Sequence, residues 1–383
     1  MKPVVRSTSN QYLLIFKVRL SALTFGILVI LIASLAFADS SKKIKLGIIL
    51  PLSGTYADNG EDCKRGVEIA RTNLAAKDKL GSYAVEHIYE DSKNDPKISL
   101  SIFNQLVEQQ KAQAVFTIRS TVGMALNPLS KRMQVPLFGV IGHTDFPFQN
   151  PYAFQVMTTG DEYGPAIVKL INSRGLKRIA TITTEDDWLI SITDGIRAEI
   201  KKSGLSLVVD EPLMPTEMEF FSHVSRIRKS NADAILLNLA INQIVPFIKR
   251  LREQGLTQPI FSNYWVGKPE VMASAAAELF EGVEFPEVQL QLPGFNKILH
   301  DKYEDVWATQ ITFSCYVSMK LFYQALQTSN KITDRNTLYK ALLGITSIEM
   351  PDQDLTVKDR HVKFSLARKR IEQGKVVEYE LIK

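Results

Sequence analysis

The chain has 383 residues, of which 45% are hydrophobic and 23% are charged, and its formal net charge is +5 at pH 7. This length is sufficient for two domains with substantial cores. Lys2, Arg6, Lys17 and Arg19 all precede Asp39 and no acidic residue does, so the rest of the chain is close to neutral. The charge therefore gives no reason to expect nucleic acid or an anionic membrane surface as a partner.

The N-terminus has the features of an export signal. Lys17 and Arg19 precede an apolar run from Leu20 to Ala36, and Ala-Phe-Ala directly before Asp39 is an A-x-A cleavage site. We predict that residues 1–38 are a signal peptide that is cleaved before Asp39. Because the apolar run is long for a signal, an uncleaved membrane anchor is the alternative.

The first part of the chain alternates apolar strands with amphipathic helices. Residues 44–50 are short and apolar, and Val67, Ala70 and Leu74 recur at helical spacing after a small polar loop. Four strand–helix units in succession predict a parallel sheet that is covered on both faces. The predicted strands are 44–50, 84–91, 114–118 and 135–140; helices are predicted around 67–74, after Asp95-Pro96 and at 124–132.

A second series of the same kind begins after residues 152–159. Its predicted strands are 178–183, 205–209, 234–238 and 259–262, and its predicted helices are 163–173, 192–202, 220–230 and 244–254. Helices are then predicted at 295–303, 313–327 and 334–343, before a tail, 362–382, that alternates like antiparallel strands around Gln373-Gly374. The sequence thus predicts an α/β fold with two doubly wound parallel-sheet lobes.

No pattern in the sequence predicts catalysis. It has no G-x-S-x-G elbow, no G-x-x-x-x-G-K-[ST] loop and no G-x-G-x-x-G turn. The acidic run 185–187 follows a strand and fits a solvated loop better than a general acid/base pair. The five His residues are scattered, with no H-x-x-x-H pair. We therefore expect no enzyme activity, no metal site and no cofactor.

The two cysteines, Cys63 and Cys315, allow one disulfide in an exported protein. Pairing requires two helices that are far apart in sequence to approach each other in a specific way. The sequence therefore favours free, buried thiols.

The loops that follow the predicted strands are the candidate binding surface. Ser120 and Thr121 follow the third strand, where a hydroxyl and free N–H groups at a helix start favour a carboxylate. Gly142-His143-Thr144 ends the fourth strand in a similar way. Trp188 and Tyr264-Trp265 supply aromatic surface at strand ends of the second unit. This combination suits a small ligand held between two lobes.

Several segments, taken together, resemble a known family. They are KLGIILPLSGTYADNGEDCKRGVEIA, YEDSKNDPK, the stretch from RSTVGMAL to VPLFGV, and LLN, LREQGL and PIFSN in the second unit. The chain resembles the type I periplasmic solute-binding proteins of the leucine/isoleucine/valine class, the receptors of ABC transporters. The resemblance covers essentially all of the chain after the signal, and it is weaker towards the C-terminus.

The resemblance implies a fold and a function. Two lobes joined by three crossover strands would close on a ligand like a hinge, with lobe 1 at 44–157 plus 288–344 and lobe 2 at 158–287 plus 345–383. The protein would be a periplasmic monomer that delivers a small molecule to the membrane permease of an ABC importer. The alternative is a ligand-sensing subunit of a membrane signalling receptor.

The resemblance also assigns site positions. Ser120 matches the family's serine on the ligand carboxylate, with Thr121 beside it. Gly142 and His143 fall where the family uses an Ala-Thr pair on the ligand head group, and Thr144 is the neighbour. Trp188 falls where the second lobe usually offers Tyr.

Three positions depart from the family pattern. Asn59 stands where an aromatic is frequent, and Phe116 replaces a usual Gly before the serine loop. Tyr264 stands where the amino-acid binders carry a Glu for the ammonium group, and a tyrosine does not neutralise an ammonium. We therefore favour a ligand with a carboxylate or another acceptor at one end and an uncharged, aromatic or amide body. The alternative is an amino acid whose ammonium is met by Asp186, Asp187 or Glu162.

Overall fold

The computed structural model describes residues 42–74, 80, 83–304, 306, 308–329 and 331–382. The predicted signal peptide and its cleavage site lie outside these residues. Among them, no helix is both long enough and apolar enough to cross a membrane.

The first sheet is built mostly from the N-terminal part of the chain. Its strands are β1 (Lys42–Leu50), β2 (Tyr83–Asp91), β3 (Ala114–Ile118), β4 (Leu137–Val140), β5 (Ala153–Gln155), β11 (Ser347–Ile348), β12 (Leu355–Lys358) and β13 (His361–Val362). The order across the sheet is β11-β12-β13-β5-β4-β3-β1-β2. Parallel pairs join β1 to β3, β3 to β4, β4 to β5 and β5 to β13, whereas β11, β12 and β13 are antiparallel neighbours.

Helices cover this first sheet, and together they form lobe 1. They are α1 (Ala57–Leu74), α2 (Pro96–Asn104), which continues into the wider turn Gln105–Gln109, α3 (Ser120–Met133), α4 (Phe146–Gln149), α10 (Pro293–His300), α11 (Gln310–Thr328) and α12 (Arg335–Leu343). The start of α2 follows from its sequence: Asp95 accepts hydrogen bonds from the N–H groups of Lys97 and Ile98 at 2.7 and 3.0 Å. Pro96 occupies the first turn, where its missing N–H costs nothing.

The second sheet, with its helices, forms lobe 2. Its order is β15-β14-β10-β9-β8-β6-β7, parallel from β7 to β10 and antiparallel beyond. Its strands are β6 (Arg178–Thr184), β7 (Ser206–Leu213), β8 (Ala234–Asn238), β9 (Ile260–Ser262), β10 (Glu284–Val288), β14 (Leu366–Glu372) and β15 (Lys375–Leu381). Its helices are α5 (Gly160–Ser173), α6 (Asp187–Ser203), α7 (Phe221–Lys229), α8 (Ile241–Glu253) and α9 (Pro269–Met272), with single 3₁₀ turns at Tyr264–Gly267 and Ala277–Phe280.

The chain passes between the two lobes three times. It crosses after β5, again after β10, and a third time between β13 and β14. The predicted α/β fold with two doubly wound, mostly parallel lobes is confirmed, as are most strand positions and the hairpin turn at Gln373-Gly374.

The expected lobe membership of the C-terminal tail is wrong in part. Residues 345–383 were expected in lobe 2, but β11, β12 and β13 belong to the first sheet. His361 pairs with Gln155 of β5, so β13 extends the free edge that β5 offers. Only β14 and β15 join the second sheet, because the third crossing lies between β13 and β14.

The expectation of free thiols is also wrong, since Cys63 and Cys315 form a disulfide with their Cα atoms 5.3 Å apart. The reason is the close packing of α1 against α11. A Cβ atom on Gly66 would lie 2.2 Å from the carbonyl oxygen of Thr312, so only glycine allows the helices to approach this closely. The bond links residues 252 positions apart, a separation over which sequence spacing gives no information about pairing.

Candidate functional site

Residues from the two lobes meet where strand-end loops of both sheets face each other. We call this group the interlobe cluster. Its lobe 1 members are Tyr56, Asn59, Arg119, Ser120 and Gly142, and its lobe 2 members are Asp186, Trp188, Tyr264, Trp265 and Lys268.

Aromatic rings form the lobe 2 side of the cluster. The ring centroid of Trp188 lies 5.3 Å from that of Tyr264 and 4.9 Å from that of Trp265. All three side chains are buried. Trp188 does not lie in a loop, as the sequence suggested, but in the first turn of α6. The helix starts this early because the Asp186 carboxylate accepts hydrogen bonds from the N–H groups of Trp188 and Leu189.

Gly142 and Trp188 are in direct contact across the lobes. A Cβ atom on Gly142 would lie 2.1 Å from Cδ1 and 2.3 Å from Nε1 of Trp188, so the indole packs where any other residue would have a side chain. On the lobe 1 side, Ser120 Oγ accepts a hydrogen bond from the Gly142 N–H at 3.2 Å. Helix α3 begins at Ser120, and its N-cap residue, Arg119, makes no side-chain capping hydrogen bond.

Arg119, which sequence reasoning missed, is central to the cluster. Its guanidinium donates to Asp186 Oδ2 at 2.9 Å and lies 3.9 Å from the ring centroid of Tyr56 and 5.1 Å from that of Trp265. Arg119 is only 7% exposed, and its φ is +74°, a backbone conformation that residues other than glycine rarely adopt. Backbone strain of this kind is concentrated at functional sites.

A second polar contact joins the lobes beside Arg119. Lys268, which is buried, donates from Nζ to Asn59 Oδ1 at 2.9 Å and to Glu270 Oε1 at 2.6 Å. A cavity of about 390 Å³ opens next to this contact, between α1 of lobe 1 and α9 of lobe 2; Asp62, Glu270 and Thr309 are among its lining residues.

Burial controls the ionisation of the groups in and beside the cluster. It raises the pKa of the Tyr264 hydroxyl. It also raises the pKa of Tyr56, although the Arg119 charge opposes this. Burial likewise raises the pKa of Asp62, against the attraction of Lys268. The two tyrosines therefore stay neutral near pH 7 and offer hydroxyl groups, not negative charge.

The structure brings together five of the eight residues predicted for the site: Asn59, Ser120, Gly142, Trp188 and Tyr264. Thr121 lies next to them at the start of α3 and is half-buried. His143 and Thr144 have partners elsewhere, since His143 Nδ1 accepts from the Asp145 N–H at 3.2 Å and Thr144 Oγ1 donates to Asp161 at 3.1 Å. Neither contact belongs to the interlobe cluster.

Two acids proposed as ammonium partners already have donors. Asp186 accepts from Arg119 and from two backbone N–H groups. Glu162 accepts from Lys363 at 2.6 Å and from the Thr159 N–H at 3.1 Å, near the first crossing. Asp187, in the first turn of α6, is half-buried.

Several N–H groups of the cluster are buried without an acceptor. Within the described residues, Asn59 Nδ2, Arg119 Nε and Trp188 Nε1 have no hydrogen-bond partner. Each residue is more than nine-tenths buried, at 1%, 7% and 4% exposure. Buried donors are normally paired, so unpaired ones need an explanation. The described residues also contain no group of three or more His, Cys, Asp or Glu side chains that could hold a metal ion.

The chain belongs to the periplasmic binding protein family, whose model matches residues 43–370. An amino acid binding protein of Pseudomonas aeruginosa is 27% identical over 65% of this chain and 68% of that protein. A Leu/Ile/Val-binding protein homologue of Brucella suis is 24% identical over 69% of this chain, but the match spans only 60% of that protein. The resemblance to the leucine/isoleucine/valine-binding class is thereby confirmed.

Solved structures share the fold over nearly the whole chain. A solute-binding protein of an ABC transporter from R. palustris in complex with benzoate has a TM-score of 0.79 at 20% identity, covering 89% of this chain and 96% of that one. The leucine-binding protein LivK of Thermotoga maritima has a TM-score of 0.80 at 17% identity, covering 88% and 98%. The transporter protein LivJ of Streptococcus pneumoniae, in complex with isoleucine, has a TM-score of 0.77 at 19% identity, covering 88% and 100%.

Proposed function

We propose that this chain is the solute-binding protein of an ABC importer. It captures a small carboxylate-bearing ligand, an amino acid or a related organic acid or amide, between its two lobes by hinge closure. As a periplasmic monomer with Asp39 at its N-terminus, it then delivers this ligand to the membrane permease.

The observation that carries this proposal is the set of residues that form the contacts between the two lobes. Arg119 with Asp186, Asn59 with Lys268, and Gly142 with Trp188 all join one lobe to the other. They are polar or aromatic, all but Asp186 are buried, and they lie in the loops and first helical turns that follow strands, where α/β sheets bind ligands. Because the lobes are linked by three crossings, these contacts would separate and re-form as the lobes open and close.

The relatives support both the carboxylate and the transport role. The Pseudomonas relative is described as an amino acid binding protein, and solute-binding proteins of ABC transporters with the same fold were solved with benzoate and with 4-hydroxybenzoate. Amino acids and benzoates share a carboxylate. In this chain, Ser120 and the start of α3 would receive that group, because free N–H groups at a helix N-terminus favour an anion.

A thermal-shift screen tests this function on the exported protein. The panel contains amino acids, aromatic acids, short amides and dicarboxylates, with sugars as the comparison class. A ligand that binds the native state raises the melting temperature, because its stabilisation grows with the logarithm of the ligand concentration over Kd. We expect stabilisation by at least one carboxylate, and Ser120→Ala should weaken it. Stabilisation by sugars alone would contradict the proposal.

A further inference from the structure

Resting on the proposed function, we infer that the ligand is an aromatic carboxylate without an ammonium group, and that Arg119 is the residue that selects it. The inference follows from which buried hydrogen-bonding groups of the interlobe cluster have partners and which do not.

The unpaired groups of the cluster are donors. Asn59 Nδ2, Arg119 Nε and Trp188 Nε1 each carry an N–H, and none has an acceptor among the described residues. They surround the contact between the lobes, since Asn59 meets Lys268, Arg119 lies over Tyr56 and Trp188 packs on Gly142. A ligand that enters here and satisfies them must bring acceptor atoms, as a carboxylate does.

Three acids in or near the cluster, by contrast, already accept hydrogen bonds. Asp186 accepts three hydrogen bonds, one from Arg119 and two from the start of α6. Asp62 accepts from Arg65 at 2.9 Å and from Thr309 at 3.1 Å, and Glu270 accepts from Lys268. A ligand ammonium has three donors and no acceptor, so it would compete for these oxygens and would not itself satisfy the buried N–H groups.

Arg119 is placed to receive the ligand's charge. Its ion pair with Asp186 uses the guanidinium terminus, and its buried Nε has no partner within the described part of the chain. The left-handed backbone at Arg119 fixes this side chain directly before Ser120, whose hydroxyl is held by Gly142. Because Arg119 and Ser120 are neighbours in the chain, we place the ligand carboxylate beside these two residues.

The aromatic side chains of the interlobe cluster favour a ligand with an aromatic ring. The rings of Tyr56, Trp188, Tyr264 and Trp265 all lie in the cluster. Aromatic faces and edges make their best contacts with other planar groups.

Isothermal titration with three matched probes tests the inference. The probes are 3-phenylpropanoate, L-phenylalanine, which adds only the ammonium group, and 3-phenylpropanamide, which lacks the negative charge. We expect the mature protein to bind 3-phenylpropanoate at least about tenfold more tightly than either other probe, since leaving buried charged or polar groups unpaired costs at least this much.

Two variants separate recognition by Arg119 from a structural role. Arg119→Met should remove the preference for 3-phenylpropanoate over 3-phenylpropanamide, because only the carboxylate needs the positive charge. Arg197→Met is the matched control: it removes an ion-paired arginine from the outer face of α6, where Arg197 contacts Asp210 at 2.7 Å, and should leave the preference unchanged. Melting curves of both variants show whether they are folded.

Each other outcome overturns the inference. Equal or tighter binding of L-phenylalanine would show that the site accepts an ammonium. An equal loss of affinity for the acid and the amide in Arg119→Met would show that Arg119 only supports the fold. The inference of an aromatic carboxylate would be refuted if none of 3-phenylpropanoate, benzoate and 4-hydroxybenzoate bound. The proposed function would still stand in that case if an amino acid stabilised the protein in the thermal-shift screen.

Discussion

Gly142 and Trp188 are complementary across the two lobes: the indole Cδ1 of Trp188 lies 2.1 Å from the position that a Cβ atom on Gly142 would occupy. In the family pattern, an alanine and a tyrosine are usual at these two positions. The absence of a side chain at one position makes room for the larger ring at the other. The residue types at positions 142 and 188 therefore depend on each other.

Gly142→Ala should disturb this contact. The added methyl group overlaps Trp188, so the lobes would close incompletely or the indole would move, at a cost of about 1–3 kcal/mol. We expect a loss of ligand affinity in titration calorimetry. Adding Trp188→Tyr should recover part of it, because the smaller ring leaves space for the methyl group. Equal losses in the single and double variants would contradict this complementarity.

Ser120→Ala should weaken ligand binding by about 1–3 kcal/mol, the usual cost of leaving a charged partner short of a hydrogen bond. The Gly142 N–H also loses its acceptor, so the melting temperature should fall as well. Calorimetric titration and a melting curve on the same variant measure the two effects. Ser173→Ala, at the far end of α5, is the control. A fall in stability with unchanged affinity would assign Ser120 a structural role only.

Removing the disulfide should destabilise the protein without abolishing binding. Cys63→Ala with Cys315→Ala should lower the free energy of unfolding by about 2–5 kcal/mol, the range found when native disulfides are removed. Chemical denaturation with and without a reductant measures this difference in the unaltered protein, and the double variant should not respond to the reductant. A reductant effect that persists in the variant would refute the assignment.

His87 should make stability depend on pH. It lies on β2, with its Nε2 3.0 Å from the hydroxyl of Tyr323 on α11, and burial lowers its pKa from 6.5 to about 4. The folded protein therefore binds fewer protons at His87 than the unfolded chain between these two values, so this contribution is present above pH 6.5 and is lost as the pH falls towards 4. Denaturation at several pH values across this range gives the free energy of unfolding, which should depend less steeply on pH in His87→Gln. His300→Gln should leave this pH dependence unchanged. Identical slopes in all three proteins would contradict the assignment.

The sequence predicted the order of the elements because strands and helices have local patterns. Strand β3 at Ala114–Ile118 and β8 at Ala234–Asn238 agree residue for residue, since each is a short apolar run with polar ends. Helix starts were predicted too late, as at α6, because the Asp186 cap lies inside an acidic run that resembles a loop.

The site was only partly predictable, because its geometry depends on contacts between distant residues. Ser120 and Trp188 could be found as strand-end residues, but nothing local marks Arg119. Its place depends on a left-handed backbone and on Asp186, 67 residues further along the chain. Lys268 likewise gains its position from Asn59, 209 residues away. The polar loop before α1 indicated a binding region but did not single out Tyr56.

The most direct test of the account is small-angle X-ray scattering on the mature protein with and without the carboxylate that stabilises it most. The contacts of Arg119 with Asp186 and of Asn59 with Lys268 join the two lobes, so we assign them to the closed, ligand-bound form. We predict a smaller radius of gyration at saturating ligand, and Arg119→Met should need more ligand to reach it. An unchanged scattering profile at a ligand concentration that saturates the titration would contradict hinge closure on this cluster.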